Sequence, residues 1–77
     1  MLVSVKYFAA LRELRGREEE VLEVPEGTTL AALYDRLFPP GEDRPTVAFA
    51  RNAAMARGSD TVQPDDEVVF LPPLGGG

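Results

Sequence analysis

Between Thr28 and Pro39 the apolar residues Leu30, Leu33, Tyr34, Leu37 and Phe38 fall at i, i+3, i+4, i+7 and i+8. That spacing predicts an amphipathic helix with one buried stripe, and it is the clearest periodic signal in the chain. Thr28 or Thr29 can cap its start, and Pro39-Pro40-Gly41 stops it. A helix with one apolar stripe needs something to lie on. The other apolar residues supply it, because most of them alternate with the period of a strand.

Residues 2–7 place Val3, Val5 and Tyr7 on one face and Leu2, Ser4 and Lys6 on the other. Residues 8–15, FAALRELR, carry Phe8, Leu11 and Leu14 at three-residue spacing, which favours a short helix ended by Gly16. The run RGREEE reads as a solvated turn, VLEV at residues 21–24 as a second strand, and Pro25-Glu26-Gly27 as the turn that closes it. TVAFAR at residues 46–51 alternates again, with Val47 and Phe49 opposite Ala48 and Ala50. Asn52 tolerates left-handed backbone and can turn the chain into a short strand around Met55. QPDDE is a further turn, and residues 68–71 form the last strand. The expected order is β-α-β-α-β-β-β, an α+β fold with two main helices on one face of a mixed sheet.

Seventy-seven residues form one small domain that buries roughly 60 % of its unfolded surface. Nothing in the sequence divides it except the tail, so residues 1–73 are read as the domain and residues 74–77 as an extended glycine tail. With no cysteine and no histidine, disulfides, thiolate or imidazole metal sites and Ser-His or Cys-His nucleophiles are all excluded. A net charge of −5 repels phosphate backbones, so no nucleic-acid partner is expected, whereas a basic protein surface suits it. The N-terminal MLVSVKYF has neither a charged leader nor a long apolar run, and no segment approaches the roughly 20 residues that span a bilayer. The expected location is the cytoplasm, with no membrane partner.

The candidate catalytic groups are weak. Asp65, Asp66 and Glu67 cluster in a turn, where turn chemistry and solubility account for them. Glu18, Glu19 and Glu20 read as a solvated face, and Lys6, the single lysine, as an exposed one. The serines and threonines have no base to activate them. The tail is different. Pro72-Pro73 favour an extended exit from the sheet, and Leu74-Gly75-Gly76-Gly77 follow as a slim tip with no Cβ on its last three residues. Residues 74–77 can reach about 13–14 Å, enough to enter another protein's pocket. On the residues alone, a frayed end and a working arm both remain open.

The segment VKYFAALRELRG, the Asn52 region and above all PDDEVVFLPPLGGG resemble the small-subunit family of molybdopterin synthase, one of the ubiquitin-like β-grasp sulfur carriers. The resemblance runs through the whole chain in order and length. It implies a β-grasp fold and a carrier mechanism. An adenylating enzyme of the ubiquitin-activating kind would use ATP on the Gly77 carboxylate. Sulfur from a persulfide would then leave a terminal thiocarboxylate, with no cofactor held stably by this chain. The large subunit, expected in a heterotetramer, would hold the pterin precursor and receive the tail. By the same resemblance Gly77 and Gly76 form the reactive end. Phe8, Met55 and Leu71 match apolar docking positions, Arg12 matches a basic partner-facing one, and Pro72, Pro73, Leu74 and Gly75 lie along the inserted arm. Three residues depart from the pattern: Leu71 where an aromatic is frequent, Arg51 where an apolar residue precedes Asn52, and Gly75 as a third glycine. A carrier for thiamine or tRNA thiolation, or a non-catalytic ubiquitin-like interaction module, is the alternative that the same ending allows.

Overall fold

The computed structural model describes residues 1–72. Its elements are β1 (Leu2–Tyr7), α1 (Ala9–Arg15), β2 (Glu19–Glu23), α2 (Leu30–Leu37), β3 (Ala48–Arg51), β4 (Ala54–Ala56) and β5 (Glu67–Leu71). They form a five-stranded sheet in the order β2-β1-β5-β3-β4. The central pair, β1 and β5, is parallel, with Val5 opposite Val68 and Tyr7 opposite Phe70, and the other pairings are antiparallel. This is the mixed sheet and the element order expected from the periodicities.

Alternation decides which face of the sheet is covered. Val3, Val5 and Tyr7 of β1 and Val68 and Phe70 of β5 are buried in one cluster with Leu11 of α1 and Leu30, Leu33, Tyr34 and Leu37 of α2. Both helices therefore lie on the same face. Thr29, rather than Thr28, caps α2 by accepting a 3.1 Å hydrogen bond from the Ala32 amide. Tyr34 and Phe70 meet at 5.0 Å between ring centroids, which seats the helix on the strand that carries the chain to its last described residues.

One sequence reading is corrected. Glu19 and Glu20 are not part of a solvated turn; β2 begins at Glu19, and the Glu20 side chain is only 6 % exposed. It accepts hydrogen bonds from the Tyr7 hydroxyl at 2.8 Å, from the Arg15 guanidinium, and from Arg17 at 3.0 Å. Burial alone would raise the Glu20 carboxyl, but the Tyr7 and Arg15 hydrogen bonds and the Arg15 and Arg17 charges hold it below its ordinary value. Glu20 thus fastens the end of α1 to β2. Glu18 and Glu19 are exposed, as a charge run usually is.

Candidate functional site

The opposite face of the sheet has no helix on it among the described residues. Strand pairing lines up Lys6, Val69, Ala50 and Met55 in one row across β1, β5, β3 and β4, and Leu71 and Ala48 in the next. Phe8 follows β1 directly and extends the second row. Its side chain does not enter the core: Phe8 is 47 % exposed and Met55 is 56 % exposed, while Leu71 is half-buried. Phe8, Met55, Leu71, Val69 and Ala53 line one hollow of about 340 Å³, with Lys6 and Glu67 at its rim. The Lys6 ammonium lies 3.4 Å from the Glu67 carboxylate. The structure therefore brings together the three apolar positions singled out in the sequence.

A second, narrower cleft of about 210 Å³ shares Phe8 and Leu71 with the first. Leu11, Val47, Phe70 and Pro72 complete its walls, so apolar surface continues around the end of β5 to the root of the tail. Arg12 is exposed on α1, with its guanidinium 3.6 Å from the Glu18 carboxylate. It borders a neighbouring hollow that also includes Lys6 and Phe8. Pro72 is exposed, and Pro73, Leu74, Gly75, Gly76 and Gly77 lie outside the described residues.

Beside this face sits a polar anchor built on Asp66, which the sequence reading assigns to turn chemistry and solubility and which is instead buried. Asp66, 4 % exposed, accepts hydrogen bonds from Arg51 Nε, from Asn52 Nδ2 at 2.8 Å and from the Gln63 amide at 2.7 Å. Asn52 Oδ1 in turn accepts from the Glu67 amide at 2.8 Å, and the Asn52 amide donates to the Glu67 carbonyl at 2.8 Å. The turn that carries β3 into β4 is thereby clamped to the start of β5. Burial pushes the Asp66 carboxyl up, yet the hydrogen bonds from Gln63, Arg51 and Asn52 and the Arg51 charge outweigh it and leave it lowered. Arg51, a departure from the family pattern in sequence, is here the charge that pairs Asp66. No local periodicity could have shown this, since Arg51 and Asp66 are joined only by the β3–β5 pairing.

The described surface offers an apolar patch of the kind that marks recognition sites. Among the described residues, no group of three or more acidic side chains could hold a metal ion. No helix among the described residues is long and apolar enough to cross a membrane. The geometry offers an apolar surface with a polar rim around the point where the chain leaves its last strand. Comparison with known proteins gives that surface a context. The model of the ThiS family matches residues 5–77. The chain belongs to the ThiS family. It is 37 % identical over 79 residues to the molybdopterin synthase sulfur carrier subunit of Arabidopsis thaliana, covering 97 % of this chain and 82 % of that protein. A Pyrococcus furiosus protein solved as a candidate molybdopterin converting factor subunit 1 superimposes with a TM-score of 0.79 at 30 % identity, over 96 % of this chain and 99 % of the other. The same fold, at a TM-score of 0.65 and 22 % identity over the whole of both chains, occurs in the Helicobacter pylori complex of subunits 1 and 2 of molybdopterin-converting factor. The ThiS-family match extends through both the apolar face and the glycine tail, and the superposition on the Pyrococcus protein agrees with the β-grasp architecture that the family resemblance implies.

Proposed function

We propose that this chain is the sulfur-carrier subunit of a molybdopterin synthase, with Gly77 as its working end. The observation that carries the reading is the continuous apolar surface of Phe8, Met55, Leu71 and Pro72 around the root of a family-matched glycine tail. A carboxylate is a poor electrophile. An adenylating enzyme would join the Gly77 carboxylate to AMP from ATP, releasing pyrophosphate. The outer sulfur of a persulfide donor would then displace AMP to give an acyl disulfide, and a thiol of the donor system, itself oxidised to a disulfide, would cleave it to leave the thiocarboxylate. ATP belongs to that enzyme's reaction; the carrier needs to hold no cofactor of its own. The large subunit would dock on the apolar face and receive the tail, bringing the thiocarboxylate sulfur to the pterin precursor. Without cysteine or histidine the isolated chain is expected to turn nothing over. Two sulfurs make the dithiolene, so two charged carriers are consumed per product. The name of the Arabidopsis relative supports the acceptor, and the Helicobacter complex supports the pairing of a small with a large subunit.

Leu71→Asp tests the docking half of this reading. Leu71 is half-exposed on the uncovered face, so the free domain should melt close to the wild-type temperature. Burying a large apolar side chain is worth roughly 1.5–3 kcal/mol, and a buried unpaired charge adds a further cost. Affinity for the large subunit, measured by calorimetry, should fall by roughly 30-fold or more. A folded Leu71→Asp chain that binds as tightly as wild type contradicts the reading. Met55→Asp provides the same test should the first variant fail to fold.

A further inference from the structure

Four non-glycine residues have positive φ among the described residues: Ala9 at 47°, Asn52 at 51°, Ala53 at 66° and Asp65 at 65°. Asn and Asp visit this region because their short polar side chains bond locally. Asn52 is held there by bonds from across the sheet, its side chain donating to Asp66 and accepting from the Glu67 amide. Alanine has no such means, and a side chain in left-handed backbone brings Cβ against the neighbouring carbonyl. Both alanines adjoin the docking face. Ala9 directly follows Phe8, in a turn where the Leu11 amide donates to the Phe8 carbonyl at 3.1 Å, and Phe8 itself makes no side-chain cap. Ala53 lines the hollow beside Met55 and is the second residue of the two-residue turn between Arg51 and Ala54. With both central residues at positive φ, that turn is one in which glycine is the favoured second residue.

Sparsely populated backbone conformations persist only where the surrounding structure imposes them, and they gather at functional sites. Glycine would take either position without strain, but it would also open many neighbouring conformations to Phe8, next to position 9, and to Met55, two residues beyond position 53. We propose that Ala9 and Ala53 are positioning residues for the docking face: each holds a costly backbone conformation that fixes Phe8 or Met55 in place before a partner arrives. The inference rests on the reading that this face receives the large subunit.

The test compares Ala9→Gly and Ala53→Gly with chains made by total synthesis that carry D-alanine at position 9 or 53. Both changes relieve the strain, but only D-alanine keeps the restriction, since its preferred φ is positive. Each glycine variant should melt higher by roughly 2–6 °C. Each should also bind the purified large subunit about two- to twelve-fold more weakly, as expected when one more side chain must be immobilised on binding. The D-alanine chains should melt at least as high as the glycine variants and keep wild-type affinity. Phe8→Ala and Met55→Ala separate this inference from the reading beneath it. If both bind more weakly while the glycine variants bind like wild type, the positioning role is overturned and the docking face stands. If both bind like wild type, the docking face itself fails and the inference goes with it. Glycine variants that melt lower than wild type overturn the conformational basis.

Discussion

Deleting Gly77 should leave a domain that melts like wild type and delivers essentially no sulfur. The described core ends at Phe70, so shortening the tail removes no core packing. The carboxylate that the proposed function makes reactive, however, retracts by roughly 3.5 Å. In a positioned reaction a displacement of about 1 Å already costs about 10²-fold, so the loss should exceed that at both stations: the adenylating enzyme and the large subunit. Gly76→Ala should also be harmful, because a Cβ widens the tail and narrows its choice of φ, and the proposed function requires two different enzymes to grip it along the backbone. Gly75→Ala should be milder, since the family pattern does not require that third glycine. Melting curves, complex formation and product formation for the three variants check each point. A Gly77 deletion that accepts and delivers sulfur near the wild-type rate refutes the role of this terminus.

The largest stability effect is expected at Asp66. Breaking a fully buried ion pair costs roughly 3–5 kcal/mol. Arg51 is about a third exposed, so water softens the loss of its partner. Asp66→Ala should therefore cost about 2–3 kcal/mol, which for a domain of this size lowers the melting temperature by roughly 10–20 °C. The sign of its pH dependence follows from the lowered carboxyl. A group with a depressed folded-state pKa contributes stability above its unfolded value, 3.8 for this aspartate, and loses that contribution as pH falls through the folded value below it. The melting difference between wild type and Asp66→Asn should accordingly be full at neutral pH and shrink in acid below about pH 4. A difference that stays constant or grows on acidification would show that Asp66 is not held as a paired carboxylate. Because this anchor clamps the β3–β4 turn to β5, its loss should also weaken docking, beyond what the lost folded fraction explains.

The sequence disclosed what rests on local pattern. The stripe of Leu30, Leu33, Tyr34, Leu37 and Phe38 is buried throughout, the left-handed Gly16 ends α1, and Asn52 turns the chain at φ 51° into the short strand of Met55. What it hid rests on tertiary pairing. Glu20 looked like one of three solvated acids, and only the meeting of α1 with β1 and β2 surrounds it with Tyr7, Arg15 and Arg17. Asp66 looked like turn chemistry, and half of that reading holds: it does accept from the Gln63 amide within its own turn, but its charge is answered from β3. Phe8 could be assigned to the surface only through the family resemblance, because its spacing with Leu11 equally suits a core residue. The strained alanines carry no sequence signal at all, since nothing in FAAL or RNAA separates a left-handed alanine from an ordinary one.

The proposed carrier mechanism turns on a single atom at Gly77. The most direct measurement is the intact mass of the chain after incubation with an adenylating enzyme, ATP, a persulfide donor and a thiol reductant, followed by fragmentation of the C-terminal peptide. The account predicts a mass gain equal to exchange of one oxygen for one sulfur, located on Gly77, dependent on ATP, and lost again when the large subunit and pterin precursor are added. A chain that stays a plain carboxylate with every component present, or that takes up sulfur anywhere but the terminus, would contradict it.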